Sequence, residues 1–197
     1  LKEEHLWECH RKRSNHRQNR PRKECYGQMV ILDGSHHDWL EGRGPKLALM
    51  AYIDDATSRI YIRFYDYEGT IPAMDSFKRY IKKYGIPQSI YTDRHTTYKS
   101  PKKATIEDEL ANREPQSQFE RALEELGVDF IHAKSPQAKG RIERVFGTLQ
   151  DRLVKEMRLR NIKTKDEANR YLRYYIPAHN KRFTVEPFNK SNVHRRI

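Results

Sequence analysis

From Gly27 onward the chain falls into apolar segments whose periods differ. Met29-Val30-Ile31-Leu32 is a continuous apolar run ending at Asp33, the pattern of a strand covered on both faces. Leu47 to Ile53 is a second such run, and Asp54-Asp55-Ala56-Thr57-Ser58 makes a polar turn after it. From Arg59 to Tyr65 the apolar Ile60, Ile62 and Phe64 alternate with Tyr61, Arg63 and Tyr65, which predicts a hairpin partner strand. A helix capped by Thr70 is predicted next, with Met74, Phe77, Ile81 and Tyr84 on one face and Gly85 with Pro87 as its stop. Ser89 to Thr92 reads as a short strand ending at Asp93. A second helix carries Phe119, Ala122, Leu123 and Leu126 and stops at Gly127, and Val128 to Ala133 is a fifth strand.

Pro136 opens a long helix in which Ile142, Val145, Phe146, Leu149, Leu153 and Met157 form one stripe. A last helix starts at Thr164, where Glu167 completes a capping box, and is expected to break near Pro177. The order βββαβαβα with a trailing helix predicts an α/β fold. Three parts follow: a basic arm or linker over 1–26, a core over 27–160 and a basic helical extension over 161–197. The polar stretch 99–118 reads as an insertion or flexible loop.

Charge sharpens the picture. The chain of 197 residues carries a net +12, and the excess sits at the two ends. Residues 1–27 hold 8 basic and 4 acidic side chains, and 140–197 hold 15 and 6, whereas the middle is close to neutral. Arg11, Lys12, Arg13, Arg17, Arg20, Arg22 and Lys23 crowd a stretch without an acid, as a phosphate-contacting segment would. No apolar run nears the roughly 20 residues of a membrane span, so a membrane partner is not expected. No signal peptide is visible and the first residue is Leu1, so the chain reads as a segment of something longer. Cys9 and Cys25 support no disulfide framework, which points to a reducing compartment. With His10 and His16 they match no paired zinc pattern.

Three acids invite a chemical reading. Asp33 and Asp93 each follow a short apolar strand, and ligands of open α/β sheets gather at the carboxyl ends of strands. Glu143 borders the buried stripe of the long helix, and Gly140 and Gly147 one turn away leave room above it. Gathered carboxylates repel one another unless a cation neutralises them, and oxygen-only ligation suits Mg²⁺ or Mn²⁺. Two such ions can serve both oxygens of a phosphodiester displacement. Taken singly, the same acids also read as turn, cap or surface residues. Asp54 and Asp55, on the hairpin turn, read as structural. His36 and His95 follow Asp33 and Asp93 closely enough to position water or DNA. Lys139, Arg141 and Arg144 flank Glu143 as candidate phosphate contacts, and Arg152, Lys155, Arg158 and Arg160 extend that surface. Tyr171, Tyr174 and Tyr175 read as packing residues.

Leu32-Asp33-Gly34-Ser35, Tyr91-Thr92-Asp93 and Ser135-Pro136-Gln137-Ala138-Lys139-Gly140-Arg141-Ile142-Glu143-Arg144 resemble the three signature blocks of DDE transposases and retroviral-type integrases. The turn Asp54-Asp55-Ala56-Thr57 and the continuation Phe146-Gly147-Thr148-Leu149-Gln150 resemble bacterial insertion-sequence transposases of the ISNCY type. The resemblance spans about residues 27–183, and its most specific part is the Ser-Pro-x-x-x-Gly-x-x-Glu pattern. It implies an RNase H-like fold with a five-stranded mixed sheet in the order 3-2-1-4-5, and a metal triad of Asp33, Asp93 and Glu143 holding two Mg²⁺ or Mn²⁺ ions. It further implies hydrolysis at transposon ends and 3′-hydroxyl strand transfer into target DNA, by a dimer or higher multimer on double-stranded DNA in the bacterial cytoplasm and nucleoid. A DNA-binding or assembly module without activity, and a nuclease without strand transfer, are the alternatives. Two features depart from the common pattern: Asp93-Arg94-His95 stands where many integrases have Asp-Asn-Gly, and the gap from Asp93 to Glu143 is long.

Overall fold

The computed structural model describes residues 21–92, 116–132 and 140–196. Several expectations therefore lie outside the described residues: the arm with Arg11, Lys12, Arg13 and Arg17, then Asp93, His95, Pro136, Lys139 and most of the 99–118 stretch.

Val30, Ile31 and Leu32 are apolar at consecutive positions because the strand they build is covered on both sides. It is β2 (Val30–His37), preceded by the two-residue β1 (Cys25–Tyr26). Beyond it come β3 (Leu47–Asp54), β4 (Ile60–Tyr65), α1 (Thr70–Tyr84), β5 (Ser89–Thr92), α2 (Gln118–Glu125), β6 (Asp129–His132), α3 (Gly140–Leu159), α4 (Lys165–Phe183) and β7 (Asn189–Asn192). A five-stranded sheet runs β4-β3-β2-β5-β6. Its first three strands are antiparallel and β5 and β6 join in parallel, so the sheet is mixed. Ile31, Leu49, Ala51, Ile62 and Phe64 face α3 and α4. Val30, Leu32, Met50 and Tyr52 face α1 and α2. The result is three layers, with β2 in the middle of the middle layer.

Five expectations need correction. The first strand does not end at Asp33: β2 continues to His37, paired with β3 down to His37↔Leu47. Its pairing with β5 is confined to Val30↔Ile90 and Ile31↔Tyr91 among the described residues. In α1 the N-cap is Gly69, without a side-chain cap bond, and Thr70 is already helical. The buried face of α1 is Ala73, Ser76, Phe77 and Tyr80, while Met74 is exposed. Ser76 is inward because its Oγ lies 2.8 Å from the hydroxyl of buried Tyr52, and Tyr80 stacks on the Tyr52 ring at 5.1 Å. A buried hydroxyl needs such a partner, and that need rotated the helix away from its most apolar reading.

Pro177 does not break α4. A proline inside a helix costs about 3 kcal/mol. The turn after it buries His179 and brings Asn180 to the sheet edge, where its side chain accepts from Ile60 N at 2.9 Å and donates to Ile60 O at 3.0 Å. Asn169, three turns earlier, makes the same pair with Phe64, at 2.9 and 3.0 Å. Two asparagines on one helix face thus occupy backbone groups of the edge strand β4, which would otherwise offer them to another chain.

The 161–197 stretch is helical only to Phe183 and then becomes an extended strap. β7 pairs with β1, and Arg195 exchanges two backbone bonds of 2.8 Å with Ile86. The Arg195 guanidinium donates to the carbonyls of Leu126 and Gly127 at 2.5 and 2.8 Å, closing the end of α2. Gly85 carries φ +99°, and a Cβ there would lie 2.7 Å from the Arg195 carbonyl oxygen, so both backbone and strap require glycine.

Burial, with Arg152 nearby, pulls the His179 imidazole down to about 4 from its ordinary 6.5, and burial does the same to His194. The unfolded chain therefore takes up protons first as pH falls, so stability is complete above about 6.5, declines towards 4 and then levels. Thermal melts across that window are expected to fall with pH. His179→Leu is expected to flatten the decline by on the order of 2 kcal/mol at the acid end.

Candidate active site

Side chains alternate along a strand, so Asp33 and Ser35 share the α3–α4 face with Ile31, while Gly34 and His36 face α1. Asp33 is half-buried, and its Oδ1 accepts from Gly34 N at 3.0 Å. It lies two residues beyond Ile31, whose parallel partner in β5 is Tyr91.

Glu143 lies in the first turn of α3 with its side chain exposed. At 100° per residue, Glu143, Gly147 and Gln150 follow one flank of the helix. Gln150 Nε2 lies 3.4 Å from Ser35 Oγ, so this flank runs beside the C-terminal half of β2. Among the described residues the space above Gly140 and Gly147 is open, with no atom beyond the helix's own nearby backbone within 4 Å of where a Cβ would sit. Asp33 and Glu143 therefore belong to one face of the sheet. Asp93 follows Thr92, the last residue of β5, and lies outside the described residues. Among the described residues no three His, Cys, Asp or Glu side chains gather as a metal site.

The other candidates have individual placements. His36 is on the opposite face from Asp33, its Nε2 3.0 Å from Glu68 Oε2. That carboxylate lies over Gly34, where a Cβ would come within 2.2 Å of it. Glu68 escaped sequence reading because nothing in the Tyr67-Glu68-Gly69 loop distinguishes it from a surface acid. Arg141 forms an ion pair with Asp55, whose side chain is fully buried. Arg144 bonds its own helix at Gly140 O (2.9 Å), and Arg152 lies over the Phe183 ring at 5.6 Å. Lys155 pairs with Asp151, Arg160 with Glu156 and Arg158 with Glu41. Tyr175 is buried and Tyr171 packs on the core, whereas Tyr174 is exposed.

The hairpin acids are structural, as expected of a turn. Asp54 accepts from Gly27 N at 2.8 Å, Thr57 N at 2.8 Å and Thr57 Oγ1 at 2.6 Å. Burial pushes its carboxyl above the usual range against those bonds. Asp55 also accepts from Lys23 N at 2.8 Å, and Arg22 donates to the Asp55 carbonyl at 3.0 Å and to Ser58 Oγ at 2.8 Å. The first turn of α3 is thereby tied to the β3–β4 turn and to the chain entering β1.

Removing one member of a buried ion pair leaves the other without compensation, at a cost of about 3–5 kcal/mol. Asp55→Ala is therefore expected to lower unfolding free energy by roughly 3 kcal/mol in urea titrations. Lys155→Ala, which breaks an exposed pair, should cost under about 0.5 kcal/mol.

No family model matches the chain. It is 37% identical over 191 residues to y4bF of Sinorhizobium fredii (strain NBRC 101917 / NGR234), a protein named as a transposase; the match covers 96% of this chain and 41% of that protein. It is 35% identical over 169 residues to the transposase for insertion sequence IS1202 of Streptococcus pneumoniae, covering 84% of this chain and 35% of the relative. The chain thus spans about two-fifths of the length of the curated relatives it matches. Among solved structures, the HTLV-2 integrase catalytic core domain in complex with magnesium (trimeric form) superposes with a TM-score of 0.54 at 17% identity, over 75% of this chain and 82% of that one. The mixed sheet, its flanking helices and these relatives agree with the three sequence blocks. The chain therefore carries the RNase H-like fold of the integrase catalytic cores, and its sequence is similar to two bacterial transposases over about two-fifths of their length.

Proposed function

We propose that the chain is the catalytic core of a DNA transposase that hydrolyses phosphodiester bonds at transposon ends and joins the 3′-hydroxyl to target DNA. The observation carrying this reading is the Ser35–Gln150 contact, which sets the Glu143 flank of α3 along the strand that holds Asp33. Asp93, next after β5 in the chain, is the third acid of the reading.

The donor set fits hard divalent cations: three carboxylates and no thiol, with open space above Gly140 and Gly147. The HTLV-2 core is in complex with magnesium, which supports the same choice here. When bound, two such ions would supply activation of the attacking oxygen and neutralisation of the leaving one. The protein's own part is to hold the carboxylates apart from competing donors. Asp33 is fixed by a strand paired to β3 on its far side, and Glu143 by a helix whose stripe from Ile142 to Met157 is buried. Basic side chains beside the site would hold the DNA backbone in register for in-line displacement. Work on paired ends implies at least a dimer on DNA, and the trimeric form of the HTLV-2 core supports a multimer.

Glu143→Gln keeps shape and removes charge. In the intact protein with Mg²⁺ it is expected to slow cleavage and joining of end-bearing DNA on the order of a thousandfold, about 4 kcal/mol of transition-state stabilisation. Wild-type rates in that variant would remove Glu143 from the mechanism. Cleavage without joining of a supplied 3′-hydroxyl end would reduce the protein to a nuclease.

A further inference from the structure

Turned away from Glu143, the opposite flank of α3 carries Arg141, Val145 and Thr148, with Arg144 between the two flanks. These residues line a cleft of about 250 Å³ together with Arg22, Ser58, His179 and Phe183. Three guanidiniums share the cleft. The nearby buried carboxylate of Asp55 is engaged by Arg141 and by Lys23 N, and Asp54 already takes three donors. Elsewhere on α3 the cations Lys155, Arg158 and Arg160 each have an acid of their own. In the cleft Arg141 has Asp55, while Arg22 donates to the Asp55 carbonyl and to Ser58 Oγ, and Arg144 donates to Gly140 O. Burial first, then the positive charges of Arg141 and Arg144, hold the Arg22 guanidinium below its usual range despite Asp55. A second, independent observation is His179: only 5% exposed, it keeps a buried Nδ1 that has no hydrogen-bond partner among the described residues. Ser58 Oγ accepts from Arg22 and keeps its own hydrogen to donate.

A local excess of planar donors with a hydroxyl at its rim suits an oxyanion, and guanidinium forks match phosphate geometry. We propose that this cleft binds a phosphate group of the DNA backbone, at a point on α3 separate from the Asp33–Glu143 flank. The proposal rests on the DNA-acting reading above and adds Arg22, Ser58 and His179 to it. One helix then meets DNA twice, with chemistry on one flank and a backbone anchor on the other, so the anchor fixes where along the strand Glu143 is applied.

The test is binding of a short labelled DNA duplex to the full chain, without divalent metal, over a range of salt. Each phosphate contact contributes about 0.9 to the slope of log K against log salt. Arg144→Gln and Arg22→Gln are each expected to lower the slope by about 1. Arg144 is exposed and, among the described residues, bonds its own helix, so its removal leaves the fold intact. Arg173→Gln, an equal loss of charge near the β4 edge, is expected to leave the slope unchanged. Unchanged slopes in both cleft variants overturn the proposal, and so does an equal fall in Arg173→Gln, which would mean a general charge effect. Inorganic phosphate added to the chain is the second arm, read by the NMR signals of His179. If phosphate moves those signals while the DNA slopes stay at wild type, the cleft holds free phosphate and the DNA assignment falls. Failure of the transposase reading is separately visible as absence of metal-dependent cleavage in the unsubstituted protein.

Discussion

The central strand sets the terms for everything built around it. β2 lies in the middle of the sheet with a helical layer on each face, so a charged side chain in its paired half would be stripped of water without compensation. Apolar residues therefore hold every position from Met29 to Leu32. Asp33 follows that apolar run directly, and it is only half-buried. A carboxylate there keeps access to solvent or a cation while its backbone remains fixed by β3. The geometry that tolerates the charge is also the geometry that makes it usable.

Holding a helix beside such a strand is a separate problem. The apolar stripe of α3 supplies adhesion, but hydrophobic burial is non-directional and leaves rotation and sliding weakly specified. The Arg141–Asp55 pair supplies direction. It joins the turn before Glu143 to the β3–β4 hairpin, whose own shape is set by the three bonds to Asp54. A buried ion pair often gains little net stability, because desolvation offsets attraction. Its role here is geometric: a directional charged bond to one Asp55 oxygen, whose other oxygen Lys23 N holds, makes one rotation of the helix better than its neighbours. Gln150 against Ser35 is a second, weaker index mark two turns on.

Much of this was legible in the sequence because period carries burial. The doubly covered run at Met29–Leu32, the alternation after Ile60, the stripe of α3 and the Thr164–Glu167 capping box all emerge from spacing, and the box is present with both of its bonds. Where the reading failed, a polar side chain had a partner far away in sequence. Ser76 turned α1 inward for Tyr52, and Asn180 carried α4 past Pro177 to reach Ile60. Neither partner is visible from local pattern, since the separations are 24 and 120 residues. The same holds at the site. Asp33 and Glu143 were singled out because the end of an apolar run and the border of an apolar stripe are local features. Arg141's tie to Asp55, 86 residues away, and Glu68's position over Gly34 are tertiary facts without a local trace.

Net charge alone says that the chain attracts polyanions, but it does not say where. Local pairing decides that. Cations on the exposed face of α3 sit one turn from acids, or reach Glu41, so their fields cancel within a few ångströms and are screened further by salt. Arg22, Arg141 and Arg144 line one cleft from two segments, with Arg141 paired to the buried Asp55 and Arg22 on the carbonyl of the same residue. Positive potential is therefore concentrated beside the hairpin turn rather than spread along the helix. On the proposed reading, a DNA strand drawn there would meet α3 at its first turns, the same turns that carry Glu143, so attraction and chemistry would be delivered by one rigid element instead of by two that must first be aligned.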